Sequence, residues 1–194
     1  MRKQIAAALC SAVLGATALS SLAIAQQKTA KGNSDRQIYS SIKDIMESIV
    51  DPSADALWGA VGSVVDNDGI HDLVPKTPQE WTDLRHAAVR MIEGGNLLMM
   101  PGREAAPAGT KSEAEGVELE PPEITVLVKK NRKSFNAFAE ALRGLGWDAL
   151  RATDAKDAAS LMDVGARMES VCEGCHQTFW YPPKQNVSAG GSKR

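Results

Sequence analysis

The stretch TDAKDAASLMDVGARMESVCEGCH, residues 153–176, decides how the rest of this chain reads. Its apolar positions Ala158, Leu161, Met162, Gly165, Met168 and Cys172 recur about every three or four residues, which places them on one face of a helix. The helix is predicted to begin near Thr153-Asp154. Pro182-Pro183 ends it, because proline cannot continue the hydrogen-bond ladder. The segment is therefore read as a long amphipathic helix with two cysteines and a histidine on its final turns.

Three more patterns of the same period precede it. Ser34 or Asp35 offers an N-cap for a first helix with Ile38, Ile42, Ile45 and Ile49 on one face. Asp51-Pro52 interrupts that pattern, and Ala56, Leu57, Ala60, Val61 and Val64 resume it. This predicts a helix broken or kinked at the proline, followed by a turn around Asn67-Asp68-Gly69. A second helix starts at Thr77-Pro78-Gln79-Glu80, runs through Trp81, Leu84, Ala88, Met91 and Leu98, and stops at Pro101-Gly102. Gly94-Gly95 weakens its middle and suggests a close neighbour there. A third helix starts near Pro122-Glu123, with Ile124, Leu127, Val128, Phe135, Phe138, Leu142 and Leu145 on its apolar side. Gly144 and Gly146 blur its end. Four helical patterns with no convincing strand predict an all-α fold, an antiparallel four-helix bundle, over residues 34–183. The connection 101–121, rich in Pro, Gly and Glu, is too long for an ordinary helix turn and is expected to be flexible. Residues 184–194 are expected to be a disordered tail, and no internal repeat is found.

The N-terminus opens with Arg2 and Lys3, continues as an Ala-rich apolar run from Ile5 to Ile24, and ends in Ala23-Ile24-Ala25. Positive start, apolar middle and A-x-A end form the signal-peptide pattern, so residues 1–25 are expected to be removed after Ala25 and the protein to be periplasmic. Cys10 would leave with them. Residues 26–33 are small and polar and read as a flexible lead-in. Losing Arg2 and Lys3 tips the balance of 22 basic and 24 acidic residues slightly further to the acidic side. That mild charge gives no support to nucleic-acid binding, and no later segment is apolar for long enough to span a bilayer.

Cys172-Glu173-Gly174-Cys175-His176 carries the chemistry. On a helix, Cys175 and His176 lie three and four residues beyond Cys172, so all three side chains project to one side. C-x-x-C-H is the pattern of c-type haem attachment: two thiols add to the vinyl groups along one haem edge while the imidazole of His176 reaches the iron. One covalent haem c is the cofactor this predicts. A thioredoxin-like site would expect a βαβ context, which is not visible. A zinc site would need a fourth ligand. A simple disulfide and a haem-free thiol redox protein are the remaining alternatives.

The motif closes the last of four helices rather than lying near the N-terminus. In this the chain resembles the cytochrome c prime family and its low-spin relatives. Cys172, Cys175 and His176 match that family's attachment cysteines and proximal histidine, and Phe179 fits its aromatic position after the histidine. The resemblance implies that a first-helix methionine fills the sixth iron position in low-spin members, whereas high-spin members leave it open to NO or CO. Met46, beside the Ile38 to Ile49 stripe, is the candidate distal ligand. Met168, Met91, Met99 and Met100 read as core or helix-end residues, His86 as solvent-facing, and His71 as part of a turn. The family often has a basic residue one turn before that methionine, where this chain has Ile42, and another after the aromatic, where it has Trp180. Arg36, Lys43 and Arg85 are then the candidate propionate partners. Trp58, Trp81, Trp147 and Trp180 are candidates to line a haem pocket, with Trp81 better read as core, and Trp180 to Pro183 is expected to fold back over the helix end. The resemblance implies a one-electron carrier between redox partner proteins, with pairing into a homodimer. No acid/base pair or nucleophile arrangement argues for an enzyme.

Overall fold

A computed structural model describes residues 37–183. The expected signal peptide, lead-in, Arg36, the candidate caps Ser34 and Asp35, and the tail from residue 184 lie outside the described residues.

The first helix, α1 (Ile42–Ile45), starts later than Ser34 or Asp35. Ser41 is its cap. The Ser41 hydroxyl accepts the Asp44 N–H at 3.1 Å and the Asp44 carboxylate accepts the Ser41 N–H at 2.8 Å, a reciprocal box that satisfies two otherwise orphan donors. Two more first-turn donors, on Ile42 and Lys43, are taken by the carbonyls of Glu104 and Ala105 at 2.9 and 2.8 Å. Ile38 therefore lies before the helix. The break expected at Pro52 takes the form of a π-helical turn, Met46–Val50, running directly into α2 (Asp51–Gly59). Proline in a helix interior clashes with the carbonyl four residues back and donates nothing to it. Widening the preceding turn answers this, and the Asp51 N–H bonds the Met46 carbonyl, five residues back. The extra residue shifts the apolar register, so Val50 is buried where Ile49 is only half-buried.

The helical pattern expected to run on to Val64 stops at Gly59. A hairpin follows, β1 (Gly62–Asp66) paired antiparallel with β2 (Gly69–Leu73), with Val64 opposite His71 and Val65 opposite Ile70. This corrects the reading of a chain without strands. β-Branched Val64, Val65 and Ile70 suit a strand, and the Asp66 carboxylate accepts the Asp68 N–H at 2.9 Å to close the expected turn at Asn67-Asp68.

Helix α3 (Pro78–Leu98) begins as read, with Thr77 and Glu80 forming a capping box. The helix expected from Pro122 to the Gly144 region is instead two: α4 (Pro121–Lys130) and α5 (Arg132–Ala155), parted at Asn131, whose φ of −115° and ψ of 38° are not helical. The α5 helix passes through both glycines. Thr153 and Asp154 belong to its end, Lys156 turns the chain in left-handed conformation, and Asp157 caps α6 (Ala158–Phe179) by accepting the Ser160 N–H at 3.0 Å.

The described residues are thus mostly helical with one small hairpin. The core lies where α3 packs on α5, α5 on α6, and α2 on both α3 and α6. Met91, Phe135, Leu161, Met168 and Phe179 are fully or almost fully buried there. Gly95 permits a close approach of α3 and α5: a Cβ on it would stand 2.8 Å from Arg143 Cβ and 2.9 Å from the Ala139 carbonyl. The 101–121 connection is tied in rather than loose. Ala105 is fully buried, and its N–H donates to the Thr125 hydroxyl at 2.8 Å. Leu119 N–H donates to the Trp180 carbonyl at 2.8 Å.

Candidate functional site

The last two turns of α6 place Cys172, Cys175 and His176 on one wall of a cavity of about 530 Å³. Met46 and Val50 from the π-turn and Trp58 from α2 line it from another element, while Leu98, Phe135, Phe138 and Leu142 supply an apolar wall from α3 and α5. This is within the usual size range of a cofactor pocket.

Packing holds these walls in place. Phe179, one turn beyond the motif, is completely buried with its ring edge-on to Phe135 at 5.4 Å and to Phe138 at 6.4 Å between centroids. The aromatic read after His176 is therefore the anchor that seats the end of α6 on α5. Trp58 Nε1 donates to the Gly165 carbonyl at 2.9 Å and so ties α2 to α6 along the cavity edge. The segment after α6 turns back as expected: Trp180 and Tyr181 donate their N–H groups to the His176 carbonyl at 2.7 and 3.0 Å, and the Tyr181 hydroxyl donates to Glu173 at 2.7 Å. The Trp180 and Tyr181 rings each lie 6.1 Å from the His176 ring.

The two cysteines are free and only partly exposed. Burial, with a smaller contribution from nearby Asp51, pushes the Cys172 thiol up to about 11. Burial, then the neighbouring Cys172, pushes Cys175 up to about 12. Both are neutral thiols at ordinary pH, the opposite of the low-pKa thiolate that a thiol redox site uses. Asp51 lines the cavity, and its carboxyl is raised by partial burial and pulled back by His176. Among the described residues no group of three or more His, Cys, Asp or Glu is arranged to hold a bare metal ion, as the zinc alternative would require.

The other candidates are not brought to this cavity. Lys43 pairs with Glu47 at 2.6 Å and with Glu113, and Arg85 pairs with Asp154 at 2.8 Å. His86 is exposed, and His71 sits in the hairpin 3.1 Å from Asp66. Met91 and Met168 are core, and Trp147 is 48% exposed away from the cavity. Asp51 and Phe138 line the cavity without having been singled out. The signal for Asp51 was the helix break beside it, and Phe138 was hidden among ordinary core positions.

The chain matches no protein-family model, no curated protein and no solved structure.

Proposed function

We propose that this chain is a periplasmic monohaem c-type cytochrome, built as an antiparallel four-helix bundle of the cytochrome c prime-like kind, that carries single electrons between redox partner proteins. The observation that carries the reading is that Met46, from the first helical segment, lines the same cavity as Cys172, Cys175 and His176 from the last. Two thiols, an imidazole and a thioether around an apolar space form the donor set of a haem c with His/Met ligation. Haem, when bound, supplies a one-electron ferric/ferrous couple.

The chain's own residues do the rest. Cys172 and Cys175 would hold the macrocycle covalently through their sulfurs. His176 would supply an imidazole nitrogen and Met46 a thioether sulfur to the iron. Phe135, Phe138, Leu142 and Trp58 line the cavity and would limit water around the bound group, which would raise the cost of the extra charge on its oxidised form. Met46 in the cavity lining favours this reading over an open, NO- or CO-binding sixth position. The raised thiol pKa values favour it over a thiol redox protein.

The test is the absorption spectrum of the full chain produced with c-type maturation machinery. Haem that stays attached through denaturation, a low-spin spectrum and a weak methionine-to-ferric-iron band that disappears in Met46→Ala are expected. No covalent haem would refute the reading, and a high-spin spectrum with rapid CO binding by the unaltered ferrous protein would refute the role of Met46.

A further inference from the structure

Four carboxylates line the cavity, Asp51 and Asp55 from α2 and Glu169 and Glu173 from α6, and no Lys or Arg does so among the described residues. A haem brings two propionates that are negative near neutral pH. Directed toward those acids they would meet like charge, so the question is where a cation is waiting.

The geometry points to the junction of α3 and α5. Arg132 opens α5 with its guanidinium 5.3 Å from the centre of the Phe135 ring, and its Nη2 donates to the Leu98 carbonyl at 2.9 Å. Phe135 and Leu98 both line the cavity. Behind it, Arg103 is 4% exposed and donates Nε to the Leu97 carbonyl at 2.9 Å and Nη1 to the Ser40 carbonyl at 2.6 Å. Both guanidiniums therefore crowd the C-terminal carbonyls of α3. Neither has a carboxylate partner among the described residues, whereas Lys43, Arg85, Lys129, Arg151 and Arg167 each have one. Arg90 and Arg143 likewise have no carboxylate partner among the described residues, but they bond Ser53 and Asn96, which do not line the cavity. A planar guanidinium with donors left over suits a carboxylate.

We infer, building on the haem reading above, that Arg132, backed by Arg103, receives the haem propionates, so that the carboxylate edge of the porphyrin faces the α3–α5 junction, away from the acids of α2 and α6. Partial burial and the proximity of Arg103 hold the Arg132 guanidinium below its ordinary range, which is the cost that an arriving anion would relieve.

The experiment is the midpoint potential of the covalently loaded full chain from pH 5 to 9, for wild type, Arg132→Gln, Arg132→Lys and the adjacent exposed Lys133→Gln. Asp51 and Asp55 on α2, Glu169, Glu173 and His176 on α6, Lys129 with Glu104 at the end of α4, and Arg103 stay constant across the set. Removing a cation beside a carboxylate raises the carboxylate pKa. The propionate inflection in the potential should therefore move up by roughly one pH unit in Arg132→Gln, by less in Arg132→Lys, and not at all in Lys133→Gln. Loss of haem from Arg132→Gln alone, with helical circular dichroism retained, would support the same assignment. If Arg132→Gln does not fold, the displacement in Arg132→Lys decides. Superimposable curves with haem attached in every variant would overturn the role of Arg132 and leave the haem reading standing. Absence of haem from the wild type would sink both.

Discussion

Replacing Gly144 and Gly146, two residues apart on α5, by alanine should move stability in opposite directions. A glycine inside a helix costs about 1 kcal/mol relative to alanine, so both substitutions begin with that gain. At Gly144 nothing lies within 4 Å of the new Cβ, and the gain is kept. At Gly146 the Cβ would stand 2.9 Å from both the Ile92 backbone nitrogen and its Cγ1, and 3.3 Å from its Cα. Backbone cannot rotate aside, so α3 and α5 must separate, at a cost of roughly 1–3 kcal/mol from overpacking. Gly144→Ala should therefore gain up to about 1 kcal/mol, while Gly146→Ala should lose up to about 2 kcal/mol net. For a domain of this size each kcal/mol moves Tm by roughly 2–4 °C. Urea and thermal unfolding followed by helical circular dichroism measure both, on the same protein form. A Gly146→Ala variant stabilised as much as Gly144→Ala would refute the closeness of the α3–α5 seam, and with it the support for the wall carrying Leu98, Phe135 and Phe138.

Phe179→Ala should cost about 3–5 kcal/mol, because the ring is fully buried against Phe135 and Phe138; a urea midpoint close to that of wild type would show that α6 is seated by something else. Ser41→Ala should cost about 1 kcal/mol through loss of the α1 cap. The Ser41 N–H and hydroxyl hold the Asp44 carboxyl below its usual range, so this contribution is present above about pH 4 and is lost as pH falls through the lowered pKa. The difference between Ser41→Ala and wild type should shrink accordingly in acid, and a constant difference would contradict the box. In haem-free protein, alkylation of Cys172 and Cys175 by iodoacetamide should rise about tenfold per pH unit from 7 to 10 without levelling, since the thiols sit at about 11 and 12. A plateau near pH 8.5 would mean they are exposed, ordinary thiols.

What could be read directly was local. Thr77-Pro78-Gln79-Glu80 starts a helix because its capping bonds close within four residues. The C-x-x-C-H motif is legible because one helical turn sets the relation of Cys172, Cys175 and His176. Even the interruption at Pro52 was visible, though not its form. The Ser41 cap went unread because two of the donors it leaves are met by Glu104 and Ala105, far along the chain. The hairpin was mistaken for helix because Val61 and Val64 fit a helical interval as well as a strand. The division at Asn131 left no gap in the apolar pattern on either side.

By itself, then, the sequence determined the helical content, the long final helix and the clustering of two thiols and an imidazole at its end, since each rests on interactions within a few residues. Only the tertiary structure decided which distant groups share that space. Met46 shares the cavity with Cys172, Cys175 and His176 because the π-turn packs on α3 and α2 packs on α6. Lys43 and Arg85 are drawn off by carboxylates elsewhere, while Arg132, at the α3–α5 junction, has none among the described residues. Pairing between charges far apart in the chain, such as Lys43 with Glu113 and Arg85 with Asp154, is settled by proximity in space, and sequence separation carries no information about it.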